Sequence, residues 1–444
     1  MRHGTTAALL GITALFLAGC GLLPDWLGES DEDEPLPGQR VSILALDRHM
    51  APDPAIRGME VQLPRPYVNE SWPQAGGTSS HAMYHLQLGD GLETLWRSDV
   101  GKGSSDDRSI LAQPVVVNGS VYTLDARSKV SAYQSVDGRR MWRVDLELED
   151  EEEGYFGGGL AYEHGRLFVS TGFAMIYALD AESGEILWQQ RVGAPMRAAP
   201  TVSGGRIFVT TLDNRTFALA TDNGRRLWDH TGVQEIAGLL GAASPAVAGS
   251  IVVVPYSSGD LVALLVDNGR ELWSDSLASS NRFDPLSNLA HIRGMPVIDR
   301  GLVLAVGHAG RMVAIDVRRG ARAWELDVGG VQMPWPAGDF IYVLTNDSQL
   351  VCLTRRSGRV RWVRPLPRFE NPEDLEDPIN WFGPVLAGDR LIVAASTGEA
   401  ISISPYTGDL LGYLDLPGVP AVSPVVANNT LYILTEDAEL VAVR

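Results

Sequence analysis

Cysteine is nearly absent: the 444 residues hold two, Cys20 and Cys352. Cys20 ends an N-terminal apolar run, so no disulfide is expected inside the folded part, and Cys352, in the strand-like LVCLT, reads as a small buried hydrophobe. The eight histidines are scattered, and H-E-x-x-H, G-x-S-x-G and C-x-x-C motifs are all missing. No catalytic residue, metal ligand or cofactor site is therefore assigned. Positive charge is also scarce, giving a formal net charge of -19 at pH 7. A chain of that charge is repelled by nucleic acid and by anionic lipid surfaces, which excludes both as partners. The acidic run ELEDEEE at 147–153 lacks the Gly-punctuated Asp pattern of a calcium loop and reads as a solvated segment.

Long hydrophobic runs are missing as well. The apolar stretch at residues 7–17 is too short to cross a bilayer. With Arg2 before it and Ala18-Gly19 after it, the stretch reads as a secretory signal over residues 1–19. Leu17-Ala18-Gly19-Cys20 resembles the lipobox of bacterial lipoproteins, which implies a lipidated (palmitate-bearing) Cys20 at the start of the mature chain. By the same resemblance, Gly21 after the Cys implies the outer membrane, at its periplasmic face. Residues 21–40 mix Pro, Gly and acids without a period, as a flexible tether does. Residues 41–71 carry one strand-like run and several prolines and are expected to lie against the domain that follows. The domain plan is thus 1–19 signal, 20–71 anchored tether and approach, 72–444 folded domain.

What fills the folded domain is a repeat. Pro114 to Trp142, Leu160 to Trp188, Pro200 to Trp228, Pro245 to Trp273, Pro296 to Trp324 and Pro334 to Trp362 are each 28 residues apart. A Gly stands four residues before each of these tryptophans, where a tight hairpin needs free access to positive φ. Within one unit, such as LAYEHGRLFVSTGFAMIYALDAESGEILW, turns separate four short apolar runs, the sheet-per-repeat signature of a β-propeller blade. A seventh copy from Pro384 keeps Gly408 but has Gly412 in place of Trp, and an eighth from Pro424 stops at Arg444 with no fourth strand. The missing strand is supplied by ETLWRSDV, which carries Trp96 eighteen residues ahead of Pro114. The fold class is therefore all-β: an eight-bladed propeller of four-stranded antiparallel blades, closed by an N-terminal strand that completes the last blade. Trp96, Trp142, Trp188, Trp228, Trp273, Trp324 and Trp362 are structural, since one Trp at the same place in each blade is what inter-blade packing requires.

Between the Trp position and the next blade the spacing varies from 10 to 23 residues. These crossovers emerge on one face, and variable loops on a constant scaffold are where binding resides. Residues 229–244 offer Val233, Ile236, Leu239 and Leu240 with little charge, residues 274–295 are mixed, and residues 363–383 are acidic and rich in Pro.

The pattern A-L-D-x-x-x-G-x-x-x-W, here Ala178-Leu179-Asp180, Gly184 and Trp188, resembles the repeats of two families, the quinoprotein dehydrogenases and the BamB family of outer-membrane assembly lipoproteins. Lipobox, acidic tether, the WPQAGG stretch (72–77), eight blades and an end just after a third strand together resemble the BamB family over residues 41–444. That resemblance implies a non-enzymatic subunit of the β-barrel assembly machinery (the BAM complex), which binds the periplasmic domains of a BamA-like barrel subunit and helps deliver unfolded outer-membrane clients. It places the contact on the loops before Pro245 and Pro296, with Leu239 and Leu240 as anchor and His291 and Arg293 as polar rim; the family pattern has two acids in the second loop, where this chain has His291 and Arg293. The alternative is a periplasmic quinoprotein (PQQ-dependent) dehydrogenase. Such enzymes carry an adjacent Cys pair, which this chain lacks.

Overall fold

The computed structural model describes residues 50–146, 157–235, 238–278 and 290–444. The signal, Cys20, the tether at 21–40, the acidic run at 147–153 and Ile236 lie outside the described residues, as does half of the loop at 274–295. Among the described residues, eight four-stranded antiparallel sheets form the eight blades. Blade 1 has strands Val115–Val117, Ser120–Leu124, Lys129–Gln134 and Arg140–Asp145 in that order from axis to rim, and blades 2 to 7 repeat it. Blade 8 combines Val425–Ala427, Thr430–Leu434 and Glu439–Val443 with Thr94–Asp99, so the ring is closed by the N-terminal strand. Backbone bonds in both directions between Glu93 and Arg444, each 2.9 Å, finish that seam. An additional hairpin, Phe369–Asn371 with Glu376–Pro378, is built from the acidic, Pro-rich crossover before blade 7.

Each second and third strand is packed on both sides by neighbouring blades, so runs such as Leu167–Val169 and Ile176–Leu179 are buried at every position rather than at alternate ones. The fourth strands alternate, with Trp the inward residue. Each of the seven fourth-strand Trp residues faces a small residue across the sheet: Ala442, Ala132, Ala178, Ala218, Ala263, Ala314 or Cys352. Cys352 therefore holds the place of an alanine beneath Trp362, fully buried, and burial pushes its thiol pKa up.

The tryptophans join blade to blade through one repeated contact. The indole N–H of Trp96, Trp142, Trp188, Trp228, Trp273, Trp324 and Trp362 donates to the carbonyl of Ser135, Ala181, Thr221, Val266, Val317, Arg355 and Pro405 respectively, at 2.8–3.2 Å. That carbonyl lies three residues before the hairpin Gly of the next blade, and the indole ring lies against the Gly itself. A Cβ on Gly269, for example, would stand 2.6 Å from Trp228, and its φ of +70° disfavours any other residue. The absence of Trp at Gly412 now has a physical reason. Blade 8, the next in the ring, has no hairpin between its third and fourth strands, because Glu439–Val443 and Thr94–Asp99 come from distant parts of the chain, so there is no Gly for a Trp of blade 7 to cover. Gly412 accordingly has no atom within 4 Å of a Cβ added there.

The inner strands of most blades are three residues long, and their edges line the axis. A single segment satisfies them in turn. Asn69 bonds blade 8 through Val426 and Asn428, and Trp72 pairs with Val116 of blade 1. Pro73 accepts from Tyr162 of blade 2, and the Gln74 amide accepts from the Val202 N–H of blade 3. Ser79 accepts from Val247 of blade 4 and Ser80 from Ile298 of blade 5. Tyr84 accepts from the Trp335 indole of blade 6, and Leu86 pairs with Leu386 and Gly388 of blade 7. Residues 69–88 thus form a belt that visits all eight blades in ring order. The preceding residues dock on the hairpins of the same face, where Asp53 meets Val360 and Arg359 and the Gln62 carbonyl lies against Gly338.

The two glycines make a direct test of the Trp contact. Gly269→Ala, at positive φ and against an indole, is expected to destabilise the ring by about 2 kcal/mol or more, whereas Gly412→Ala should stay within about 0.5 kcal/mol of the parent. Thermal unfolding of both variants measures it; equal losses would show that the Trp-on-Gly contact does not hold the blades.

Candidate functional site

Crossovers and the turns between second and third strands share one face of the ring, opposite the belt's docked approach. On it, residues 229–244 run from the outer strand of blade 3 to the inner strand of blade 4. The described part shows how this loop is held. At its first end, the Asn214 amide donates to the Val233 carbonyl while its oxygen accepts from the Ser257 N–H and hydroxyl at 3.2 and 3.0 Å. Asn214 is buried in the turn of blade 3 at a φ of +56°, a conformation Asn tolerates better than most residues. At the other end, the Leu239 N–H donates to Nδ1 of His291 at 2.9 Å. Leu240 and Val233, 43% and 60% exposed, project from the held loop, and Leu239 is half-buried over a groove of about 440 Å³ that it shares with Leu212, Pro255 and His291.

His291 is 6% exposed. It lies beneath the loop instead of at a polar rim, because the chain is already turning inward there to start the inner strand at Val297. Burial first, then the charges of Arg293, His308 and Arg197, lower its pKa from 6.5 to about 4. It is neutral at pH 7, and since Nδ1 accepts, its proton sits on Nε2. Arg293 points elsewhere: it is half-buried in the wall of a cavity on the propeller axis, and burial lowers its pKa. The four residues expected to form one patch are thus an exposed Leu240, a half-buried Leu239, a brace at His291 and an axial cation at Arg293. Sequence reasoning missed Asn214, whose signal is an Asn at the left-handed position of a turn in the blade from which the loop leaves.

Among the described residues, no group of three or more His, Cys, Asp or Glu side chains could hold a metal ion. No helix among them is long and apolar enough to cross a membrane. What the face offers chemically is a supported apolar projection with polar neighbours Gln234 and Glu235.

With that geometry in place, similarity to known proteins can be read. The model of the family described as outer membrane protein assembly factor BamB matches residues 126–364. Outer membrane protein assembly factor BamB of Salmonella typhimurium is 26% identical over 361 residues, covering 79% of this chain and 88% of that one. The crystal structure of BamB from Moraxella catarrhalis superposes with a TM-score of 0.68 at 18% identity, covering 80% of this chain and 99% of that one. A europium-containing methanol dehydrogenase superposes with a TM-score of 0.66 at 15% identity, over 82% of this chain and 89% of that one. At such identities the two superpositions speak for the eight-bladed fold alone.

The His291 brace carries a pH dependence. Below pH 6.5 an unfolded or opened loop takes up a proton that the closed one refuses until about pH 4, so the stability of the contact is present at pH 7 and falls as pH drops through that window. Hydrogen exchange of the Leu239 amide, corrected for intrinsic rate, is expected to lose protection between pH 6.5 and 4 by more than the core amide of Val121; equal losses would remove His291 as the brace.

Proposed function

Because this chain belongs to the family of the outer membrane protein assembly factor BamB, we propose that it is a non-enzymatic, lipid-anchored scaffold of the β-barrel assembly machinery at the periplasmic face of the outer membrane. It binds the periplasmic domains of a BamA-like barrel subunit and assists insertion of outer-membrane proteins, with unfolded clients as further partners. The anchor is the acylated Cys20, where the fully modified lipoprotein Cys supplies the two or more chains that stable attachment needs.

The observation that carries the reading is the exposed apolar projection at Val233, Leu239 and Leu240. It stands on the face with the variable crossovers, and it is held from below by Asn214 and His291. An apolar anchor on a braced loop with a polar surround is the arrangement of an interface centre. From the described end of the loop before blade 5, His291 lies beneath the projection and Arg293 behind rather than within the contact. The dehydrogenase reading fares worse on the residues present. Its fold is shared, but the only two cysteines stand at 20 and 352, so the adjacent pair of such enzymes is missing.

The test compares Leu239→Asp and Leu240→Asp with Arg293→Ala in capture of the barrel subunit from solubilised membranes, each paired with a melting curve. Charging the anchor is expected to cost about 2 kcal/mol or more of binding at an unchanged melting temperature, and Arg293→Ala much less. Cys20→Ala should keep the capture in detergent yet leave the membrane fraction. If melting falls together with capture, the leucines belong to a satellite core; if capture is unchanged, the partner binds elsewhere.

A further inference from the structure

The axis of the ring holds a cavity of about 120 Å³ that opens on the crossover face, with belt residues Trp72 and Ala75 contributing to its wall. The volume corresponds to roughly four waters at liquid density. Among the described residues its charged lining consists of Arg197 and Arg293, with no acidic side chain, in a chain whose formal net charge is -19. The polar amides of the wall are already engaged: Gln113 accepts from the Gly76 N–H and donates to the Ser423 carbonyl, and Gln332 donates to the Trp381 carbonyl and accepts from the Ser423 hydroxyl.

One donor group of the wall is left over. Arg293 makes no hydrogen bond or ion pair with any described residue, although burial lowers its pKa and so marks a charge short of solvation. A half-buried guanidinium without a protein partner suits an acceptor bearing negative charge. Met295, Met333, Phe382 and Val422 add apolar surface to the wall. A planar fork next to apolar walls suits a carboxylate on an apolar stem, which a guanidinium holds through two parallel bonds, better than a strongly hydrated phosphate.

We propose that the axial cavity is a binding site for a carboxylate carried on an apolar stem and paired with Arg293, its source being either a small organic acid or the C-terminus of an extended polypeptide. The site is independent of the docking surface, and Leu240→Asp leaves it intact.

Benzoate, benzamide and inorganic phosphate are titrated into the intact chain by calorimetry, beside an N-acetylated tripeptide ending in leucine with a free or an amidated C-terminus. Saturable binding of benzoate at millimolar concentration, with benzamide and phosphate silent, is the expected result. Arg293→Gln should weaken it by at least about tenfold, as loss of a charge-assisted hydrogen bond does. Arg293→Lys, which keeps the charge and loses the planar fork, should weaken it less and tests the site even if Arg293→Gln fails to fold. Binding of the free-acid peptide in competition with benzoate, and not of its amide, identifies a polypeptide end as the source; benzoate binding without peptide binding identifies a small acid. Equal affinity for benzoate and benzamide, unchanged benzoate binding in folded Arg293→Gln, or no saturable binding of benzoate or the free-acid peptide overturns the proposal.

Discussion

Eight short inner strands meeting around an axis present eight unpaired edges, and a backbone N–H or carbonyl left bare there costs as much as a lost hydrogen bond. The belt at 69–88 answers this constraint, giving each blade a partner in ring order. Its consequences spread outward. Once the inner edges are tied to one continuous segment, the order of blades is set from the axis. The seven indole contacts then repeat that order toward the rim, each reaching from one blade to the hairpin of the next. The eighth position needs a different join, and the pairing of Thr94–Asp99 with Glu439–Val443 supplies it.

The rim was legible in the sequence and the axis was not, for one physical reason. Contacts at the rim use particular side chains, so Trp, the Gly four residues before it and the constant interval of 28 residues print the blade on the chain. Even the closure of the ring could be read from Trp96 standing without three strands of its own. The belt uses mostly backbone groups, which every residue has, and it follows no repeat period, so WPQAGG at 72–77 marks its place in the chain without showing its path around the axis. His291 shows the same limit in the site. Its loop position implied the surface, but a crossover must end at the axis, and its last residues are buried on the way. Leu240 precedes that descent and remains exposed. Cys352 was legible as a buried small residue, and the structure adds the reason, a Trp across the sheet that leaves room for little more than alanine.

The two faces of the ring therefore differ in kind. One is covered by hairpins of nearly constant length and by the docked segment that leads into the belt. The other carries crossovers whose lengths are free to vary, because the belt and the indoles hold the blades without them. A projection such as Val233 to Leu240 can be supported there by single residues, Asn214 and His291, drawn from neighbouring blades. That division suits a scaffold whose rigid ring presents loops to a partner, and it is the physical basis for placing the barrel subunit on the crossover face.

Site-specific photo-crosslinking in membranes tests this most directly. A photoreactive residue is placed at Leu240 on the crossover face or at Ser250, exposed in the hairpin at the opposite end of the same blade. The account predicts a crosslink to the barrel subunit from position 240 and none from position 250. A crosslink from 250 with silence at 240 would put the partner on the wrong face and contradict it.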